Sequence, residues 1–260
     1  MQIEYIVSGL AVGFLVGLTG VGGGSLMTPL LVFLFGFSPS TAVGTDLLFA
    51  AITKSGGVLV HHYNHRSVEW KVVGLLGLGS IPSAIGVLYI LSQIGSQKEI
   101  ATLITHTLGV ALLFTAVALM FRNRLVKASL ELDCHDTKGR FARWTNPMTI
   151  VTGIVLGVLV TLSSVGAGAL GTVALFFLYP RLPTVKIVGT DLAHAIPLTA
   201  VAGFGHWLMG NVDFELLFSL LGGSLPGIYL GSHLSARIPE YILRPILATL
   251  LLVIGVKFVL

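Results

Sequence analysis

Charged residues and cysteine are the scarcest components of this sequence. Only 10% of its 260 residues are Asp, Glu, Lys or Arg, whereas soluble domains carry about 25%. A surface with so little charge would not stay dissolved, so the composition excludes soluble enzymes, nucleic-acid-binding proteins and disordered chains. A single cysteine, Cys134, excludes an intrachain disulfide framework and a cysteine-rich metal site.

Apolar residues are correspondingly abundant. They make up 54% of the chain, and the mean hydropathy is +0.93. The sequence therefore predicts an integral membrane protein, with the lipid bilayer as its surroundings. The net charge of +4 does not indicate nucleic-acid binding, because most basic residues lie between apolar segments. The first residues lack the positive region of a cleavable signal, so we expect no leader to be removed.

Eight apolar segments are long enough to be membrane elements, and two of them are broken. Six reach the roughly 20 residues that a membrane-spanning helix needs: 41–62, 70–91, 100–121, 184–207, 213–234 and 240–259. The other two, 3–36 and 147–179, are interrupted by small residues at 20–24 and 163–168. Each flank of a break is only about 12–17 residues, or roughly 18–25 Å. Such short flanks predict re-entrant hairpins with their tips inside the membrane.

The distribution of positive charge favours hairpins over continuous spans. If both broken segments re-enter, twelve of the 15 Lys and Arg residues fall on one side, Lys98 and Lys257 on the other, and Lys54 within a span. If both cross fully, the division is nine against five. Cytoplasmic loops carry the excess of positive charge. The hairpin arrangement therefore predicts both termini outside and the polar 122–146 loop in the cytoplasm.

The two halves of the chain repeat each other. The sequence Val-Gly-Thr-Asp-Leu at 43–47 recurs at 188–192, and Gly-Ser-Ile-Pro at 79–82 recurs as Gly-Ser-Leu-Pro at 223–226. A hairpin plus three spans is an odd number of crossings, so the second copy must enter from the opposite face. We predict an all-α integral membrane fold of two inverted repeats, each a re-entrant broken-helix hairpin plus three transmembrane helices. The first repeat is 1–121, the cytoplasmic linker loop 122–146, and the second repeat 147–260.

Inverted repeats with broken helices are typical of secondary transporters, whose sites lie near the midplane. The helix after each break offers unpaired N–H groups and the positive end of its dipole, and glycine lets an oxyanion approach the backbone. Close helix packing through small residues is the alternative. Because the pattern is duplicated at short helices, we predict an anion site formed by Gly22, Gly23, Gly24, Ser25, Ser164, Gly166, Gly168 and Thr172. Ser163 is a further candidate hydroxyl donor.

Four intramembrane side chains are candidates for charge neutralisation or coupling. Lys54 is the one basic residue well inside a span, where it can attract an oxyanion or pair with Asp46. Asp46 and Asp191 follow Thr45 and Thr190 in the duplicated motif, which favours a symmetric structural role and leaves proton or cation uptake open. His194, one turn after Asp191, can be a proton relay or an ordinary buried histidine.

The sequence does not predict an enzyme, a cofactor or a metal site. It contains no G-x-S-x-G, H-E-x-x-H or Walker motif, and the acids at 46 and 191 lack the setting of an aspartyl protease dyad. Cys134, His135 and Asp136 are adjacent in one polar segment, which is not the spacing of a structural metal site.

Two motifs resemble a known family. The run GLTGVGGGSLMTPLL at 17–31, followed by AVGT at 42–45, is similar to the first-repeat signature of the sulfite exporter TauE/SafE family. The resemblance covers nearly the whole chain. It implies a bacterial or archaeal inner-membrane carrier that exports sulfur-containing anions such as sulfite, sulfoacetate or related organosulfonates.

The residues and the resemblance together predict an alternating-access transporter of a small anion, with both hairpin tips holding the oxyanion near the midplane. Two alternatives stay open: a proton- or cation-coupled carrier that uses Asp46 and Asp191, and a passive anion channel. We expect a multi-pass protein of the cytoplasmic membrane. The sequence leaves open whether it forms a homo-oligomer.

Overall fold

The computed structural model describes residues 3–19, 24–65, 68–135, 140–235 and 240–260. These residues form ten α-helices joined by short turns. The helices are α1 Ile3–Thr19, α2 Gly24–Phe35, α3 Pro39–His65, α4 Trp70–Gln93, α5 Gln97–His135, α6 Arg140–Ser163, α7 Ala169–Leu178, α8 Thr184–Leu208, α9 Phe214–Ser235 and α10 Glu240–Val259.

Each of the six predicted spans coincides with one helix: α3, α4, α5, α8, α9 and α10. Five stretches of the described residues are long and apolar enough to cross a membrane: Trp70–Gln93, Gln97–Arg122, Trp144–Ser163, Thr184–Leu208 and Phe214–Gly231. The all-helical, membrane-protein part of the fold prediction is therefore confirmed.

Two helices are longer than expected. The prediction that every flank of a break is too short to cross was wrong for α6, which has 24 residues and contains the 20-residue apolar stretch Trp144–Ser163. The segment 122–146, expected as a loop, is mostly helical, because α5 continues to His135 and α6 begins at Arg140. A membrane-spanning helix can continue beyond the lipid through polar residues. Hydropathy alone does not distinguish such a helical extension from a loop.

Both broken segments fold back on themselves. Near the start of α1, the ring of Tyr5 lies 5.5 Å from that of Phe35 at the end of α2, and 5.7 Å from that of Phe37. In the second half, Thr149 Oγ1 of α6 and the hydroxyl of Tyr179, just after α7, are 2.9 Å apart. The end of α2 thus lies beside the start of α1, and the end of α7 lies beside Thr149, the tenth residue of α6.

Glycines bring helices of different halves into backbone contact. At Gly9 and Gly13 of α1, the nearest atoms are backbone atoms of Leu220 and Ser224 in α9. A Cβ at either glycine would collide with them, so the small residue is required for the close approach. The residue numbers of these pairs rise together, so α1 and α9 run parallel.

An equivalent contact, formed by residues at the corresponding positions of the opposite halves, joins α4 and α6. Gly153 of α6 faces the backbone of Leu76, and Gly157 faces the backbone of Ser80. These four residues lie 144 positions from their counterparts in the α1 and α9 contact.

The helices α3 and α8 cross at the centre and run antiparallel. Gly44 lies against the side chain of His206, and Gly203 against Leu48. The buried side chains of Leu47, Leu198 and Ala202 fill the space between the two helices. This central pair carries the aspartates, the lysine and the histidine singled out from the sequence.

The outer surface is apolar, as lipid contact requires. Leu78, Ile85 and Ile90 on α4 are each more than half exposed, and such a continuous apolar face is unusual for a soluble protein. The three tryptophans, Trp70, Trp144 and Trp207, are exposed and lie at or near ends of apolar spans. Tryptophan is enriched at that level of a membrane.

Candidate functional site

The break in the second half is an irregular turn buried inside the protein. After α6 ends at Ser163, Gly166 and Gly168 have φ values of 126° and 123°, which suit glycine. Ser164, with φ 57°, is the one non-glycine residue with positive φ among the described residues. The whole stretch 161–169 is buried. Non-helical backbone at membrane depth is tolerated where protein covers it or a cavity surrounds it.

Lys54 reaches from the first half into this break. Its ammonium donates a hydrogen bond of 2.9 Å to the carbonyl oxygen of Ala167, and the side chain is only 6% exposed. It also interacts electrostatically with both Asp191 and Asp46. One cation is therefore bonded to a backbone carbonyl and lies within electrostatic range of two carboxyl groups.

Asp46 connects α3 to α2. Its Oδ2 accepts a 2.6 Å hydrogen bond from Thr28 Oγ1, and its Oδ1 has no partner among the described residues. The hydroxyl of Ser164 interacts with the same carboxyl group, but outside hydrogen-bond geometry, so Ser164 Oγ stays without a partner in the described part of the chain.

Asp191 lies against the beginning of α7. The carboxyl group contacts the backbone of Gly171 so closely that a Cβ there would collide with Oδ1. The backbone amide of Gly168, the residue before α7, also interacts with it. Neither oxygen has a hydrogen bond of ordinary geometry among the described residues, although Asp191 is fully buried.

His194 and His206 hold α8 to its neighbours. His194 Nε2 is 2.8 Å from Ser80 Oγ of α4, and His206 Nε2 is 2.9 Å from the carbonyl oxygen of Thr161 in α6. Both rings are fully buried. A nitrogen 2.9 Å from a carbonyl oxygen must carry a proton to bond it, so His206 Nε2 is the donor.

The duplicated threonines bind backbone rather than the cluster. Thr45 Oγ1 accepts a 3.0 Å hydrogen bond from the N–H of Asp213, just before α9. Thr190 Oγ1 accepts one of the same length from the N–H of Glu69, just before α4. Each thereby satisfies an N–H at a helix start of the opposite half.

The remaining predicted residues divide into three groups. The hydroxyl of Thr172 donates to carbonyl oxygens of its own helix start, Gly168 and Ala169, and Ser163 Oγ donates to Leu159. Neither hydroxyl is directed at an open site. Gly24 is the first residue of α2, while the side chain of Ser25 lies outside the described part. Gly22 and Gly23 lie outside the described residues altogether.

The structure thus brings Lys54, Asp46, Asp191, Ser164 and Gly168 into one buried cluster. Gly166 instead faces the side chains of Val160, Leu156 and Leu170. The structure also adds residues that the sequence analysis missed: Thr28, Ser80, Gly171 and the carbonyl of Ala167. Two of these could have been noticed in the sequence, because each has an identical residue at the equivalent position of the second half. Thr28 is 144 positions before Thr172, and Ser80 is 144 positions before Ser224. Their contacts across the fold could not be derived from spacing.

This fold and this cluster define a multi-pass helical membrane protein with a charged, buried centre. The family model described as "Sulfite exporter TauE/SafE" matches residues 5–258. The chain therefore belongs to the TauE/SafE family and is a membrane transporter.

Curated relatives agree with that assignment. The chain is 40% identical to the probable membrane transporter protein YjnA of Bacillus subtilis, with 100% of both chains covered. It is 28% identical to YdhB of the same organism over 89% of each chain. It is also 25% identical to a probable membrane transporter protein, MJ0441, of Methanocaldococcus jannaschii over 96% of this chain and 92% of the relative. No solved structure matches the chain.

Proposed function

We propose that this transporter exports a small sulfur-containing oxyanion, sulfite or an organosulfonate such as sulfoacetate, by alternating access. The observation that carries the proposal is the buried meeting of the Lys54 ammonium, the start of α7 and the partnerless hydroxyl of Ser164. Each of the three is a donor or a positive charge, and a tetrahedral or pyramidal oxyanion needs several such donors at once.

The recurring contacts support an inverted repeat. The pair Gly9 and Leu220 is matched by Gly153 and Leu76, and the Thr45 bond to Asp213 is matched by the Thr190 bond to Glu69. Contacts that repeat with the two halves exchanged are expected from a pseudo-two-fold axis. Because α3 and α8 run antiparallel, that axis would lie in the membrane plane.

The closed hairpins support re-entry. Tyr5 beside Phe35 brings the start of α1 and the end of α2 to the same level. The bond between Thr149 and Tyr179 brings the end of α7 close to the beginning of the apolar stretch Trp144–Ser163 of α6. A segment whose ends meet returns to the side from which it entered. We therefore retain both termini outside and the 122–146 segment in the cytoplasm as parts of the proposal.

Burial of the cluster favours an alternating-access mechanism and argues against a permanently open channel. Asp46 and Asp191 are fully buried and Lys54 nearly so, so an anion reaches them only after the helices around them move. Sulfur as the central atom is supported by the description of the matching family model alone. The cluster itself is suited to any compact oxyanion.

Binding and transport by purified protein test the proposal, and Lys54→Met is the decisive variant. We expect the wild-type protein in liposomes to exchange sulfite or sulfoacetate with saturation and trans-stimulation. Lys54→Met should weaken binding at least tenfold, which corresponds to about 1.4 kcal/mol, because it removes the one positive side chain of the described cluster.

Thr199→Val is the matched control. Thr199 occupies the position aligned with Lys54 in the second half, and its hydroxyl bonds carbonyl oxygens of its own helix, Ala195 and Ile196. We expect near-normal binding. Flux without saturation would favour a channel, and loss of transport in Asp46→Asn with Lys54→Met unaffected would favour a cation carrier; either result overturns the proposal.

A further inference from the structure

The start of α7 already faces a negative group of the protein. Asp191 is fully buried, and its carboxyl group contacts Gly171 in the first turn of α7 and the amide of Gly168. Both of its oxygens lack a hydrogen bond of ordinary geometry among the described residues. The N–H of Gly171 itself bonds the carbonyl oxygen of Gly166. What the carboxyl group shares with an incoming oxyanion is therefore the amide of Gly168 and the positive end of the helix.

Asp46, its counterpart in the first half, is held differently. One of its oxygens is fixed by the hydroxyl of Thr28 at 2.6 Å. The two acids share a motif but not an environment, because only Asp191 has both oxygens without a partner in the described part of the chain. The unequal surroundings point to unequal roles.

The charges of the cluster do not allow an anion to be added without compensation. Two carboxyl groups and one ammonium interact there, which leaves one negative charge in excess if all are ionised. An oxyanion would add at least one more. Like charges at close range in a buried site repel strongly, and an uncompensated buried charge is costly. A proton is the smallest species that removes the excess.

Resting on the function proposed above, we propose that Asp191 is the proton-binding residue of an anion–proton symport. Its carboxylate occupies the start of α7 in the absence of substrate, and an oxyanion takes that place only together with a proton. The proton comes from the water on the entry side and forms an O–H bond with the carboxylate. On release that bond breaks, and the proton leaves with the anion to the opposite side.

The groups that face Asp191 are consistent with this assignment. From α3 these are Lys54 and Asp46. On α8 itself His194 is bonded to Ser80 and His206 to Thr161.

The other helices packed against Asp191 add no free charge to its surroundings. Just before α4, Glu69 is paired with Lys186, and Lys71 in the first turn of α4 is exposed on the surface. The described residues 169–178 of α7 contain no charged side chain. Arg122 of α5 lies over the ring of Phe176, on α7. The described side chains of α6, from Trp144 to Ser163, carry no charge.

The test is proton movement coupled to an anion gradient in liposomes that contain the purified full-length protein. Sulfoacetate is the main probe, because its acid groups stay ionised between about pH 6 and pH 8, and sulfite is measured in parallel. With the membrane potential clamped, an inward anion gradient should acidify the lumen of wild-type liposomes. Above the titration range of Asp191, apparent anion affinity should fall by up to about tenfold for each pH unit.

Asp191→Asn should abolish both effects, because the amide keeps the shape of the side chain but binds no proton. We expect this variant to bind the anion with an affinity that no longer depends on pH, and to give less than about a tenth of the wild-type proton signal per anion. His194→Gln should keep the wild-type ratio of protons to anions, because His194 is bonded to Ser80 and lies outside the charged cluster. Size-exclusion profiles and thermal unfolding establish that each variant is folded.

The outcomes separate this inference from the proposed function. If wild-type protein transports the anion without protons, or if proton movement is lost in Asp46→Asn or His194→Gln and kept in Asp191→Asn, the inference is wrong and the oxyanion transporter stands. If Asp191→Asn does not fold, Asp191→Glu takes its place: it should keep the pH dependence of anion affinity with a shifted midpoint, and an unshifted midpoint would show that another group binds the proton. If neither sulfoacetate nor sulfite binds at any pH, the proposed function fails, and the symport with it.

Discussion

At the scale of single residues, the closeness of Asp191 to Gly171 is the most specific feature of the site. The three atoms nearest to a Cβ built on Gly171 all belong to the carboxyl end of Asp191. The glycine is therefore required by one side chain and not by general packing. This makes the contact separable by mutation.

We predict that Gly171→Ala destabilises the protein by about 1–3 kcal/mol in the wild-type background, since the new methyl group overfills the space. In an Asp191→Ala background the same change should cost much less, because the colliding atoms are absent. Thermal unfolding of the two single variants and the double variant gives the coupling energy.

Gly86→Ala is the control for this measurement. No atom lies within 4 Å of a Cβ at Gly86, so the change in helix α4 should be neutral or slightly stabilising. Equal losses from Gly171→Ala with and without the aspartate would show that the carboxyl group is not what excludes the methyl group.

At the scale of helices, the parallel contacts between α1 and α9 and between α4 and α6 set how closely the halves approach. Each depends on glycines that face backbone atoms of the partner helix. Association of helices in lipid depends on such van der Waals contact, because the apolar surroundings supply little hydrophobic driving force.

We predict that Gly9→Ala and Gly153→Ala destabilise the protein to a similar extent, by about 1–3 kcal/mol each. Gly9 meets backbone atoms of Leu220, and Gly153 meets those of Leu76. Thermal unfolding in detergent measures both. Gly77→Ala, whose nearest neighbour is a side-chain atom of Ile81 at 3.9 Å, should have little effect; a large effect at only one of the two contacts would contradict the paired arrangement.

At the scale of the whole molecule, the length of α5 bears on orientation. The helix has 39 residues, or about 58 Å at 1.5 Å per residue, nearly twice the roughly 30 Å of a bilayer core. Its apolar part ends at Arg122, so the last turns extend beyond the lipid. Cys134, the one cysteine of the sequence, lies in these turns.

We predict that a membrane-impermeant maleimide labels Cys134 only after the cytoplasmic membrane has been permeabilised, because this end of α5 should be cytoplasmic. A Gln97→Cys, Cys134→Ser variant places the thiol at the start of α5 and should be labelled in intact cells. The reverse pattern would invert the proposed orientation.

The sequence predicted the membrane elements well because an apolar run of about 20 residues has few alternatives. The start of α4 at Trp70 and of α8 at Thr184 agree with the predicted spans. The continuation of α5 to His135 was not predictable from hydropathy, since its last turns are polar. The duplicated motif identified Asp46 and Asp191 together, but their unequal surroundings arise from tertiary contacts with Thr28 and Gly171.

The crosswise packing of α1 on α9 and of α6 on α4 has a consequence for either half as a separate fragment. The glycine face of α1 has its partner in α9, and that of α6 in α4, so a chain cut between α5 and α6 leaves both faces without their partner helix. We expect the two fragments to fold together rather than singly, because close backbone contact between helices needs a matching surface that lipid does not provide.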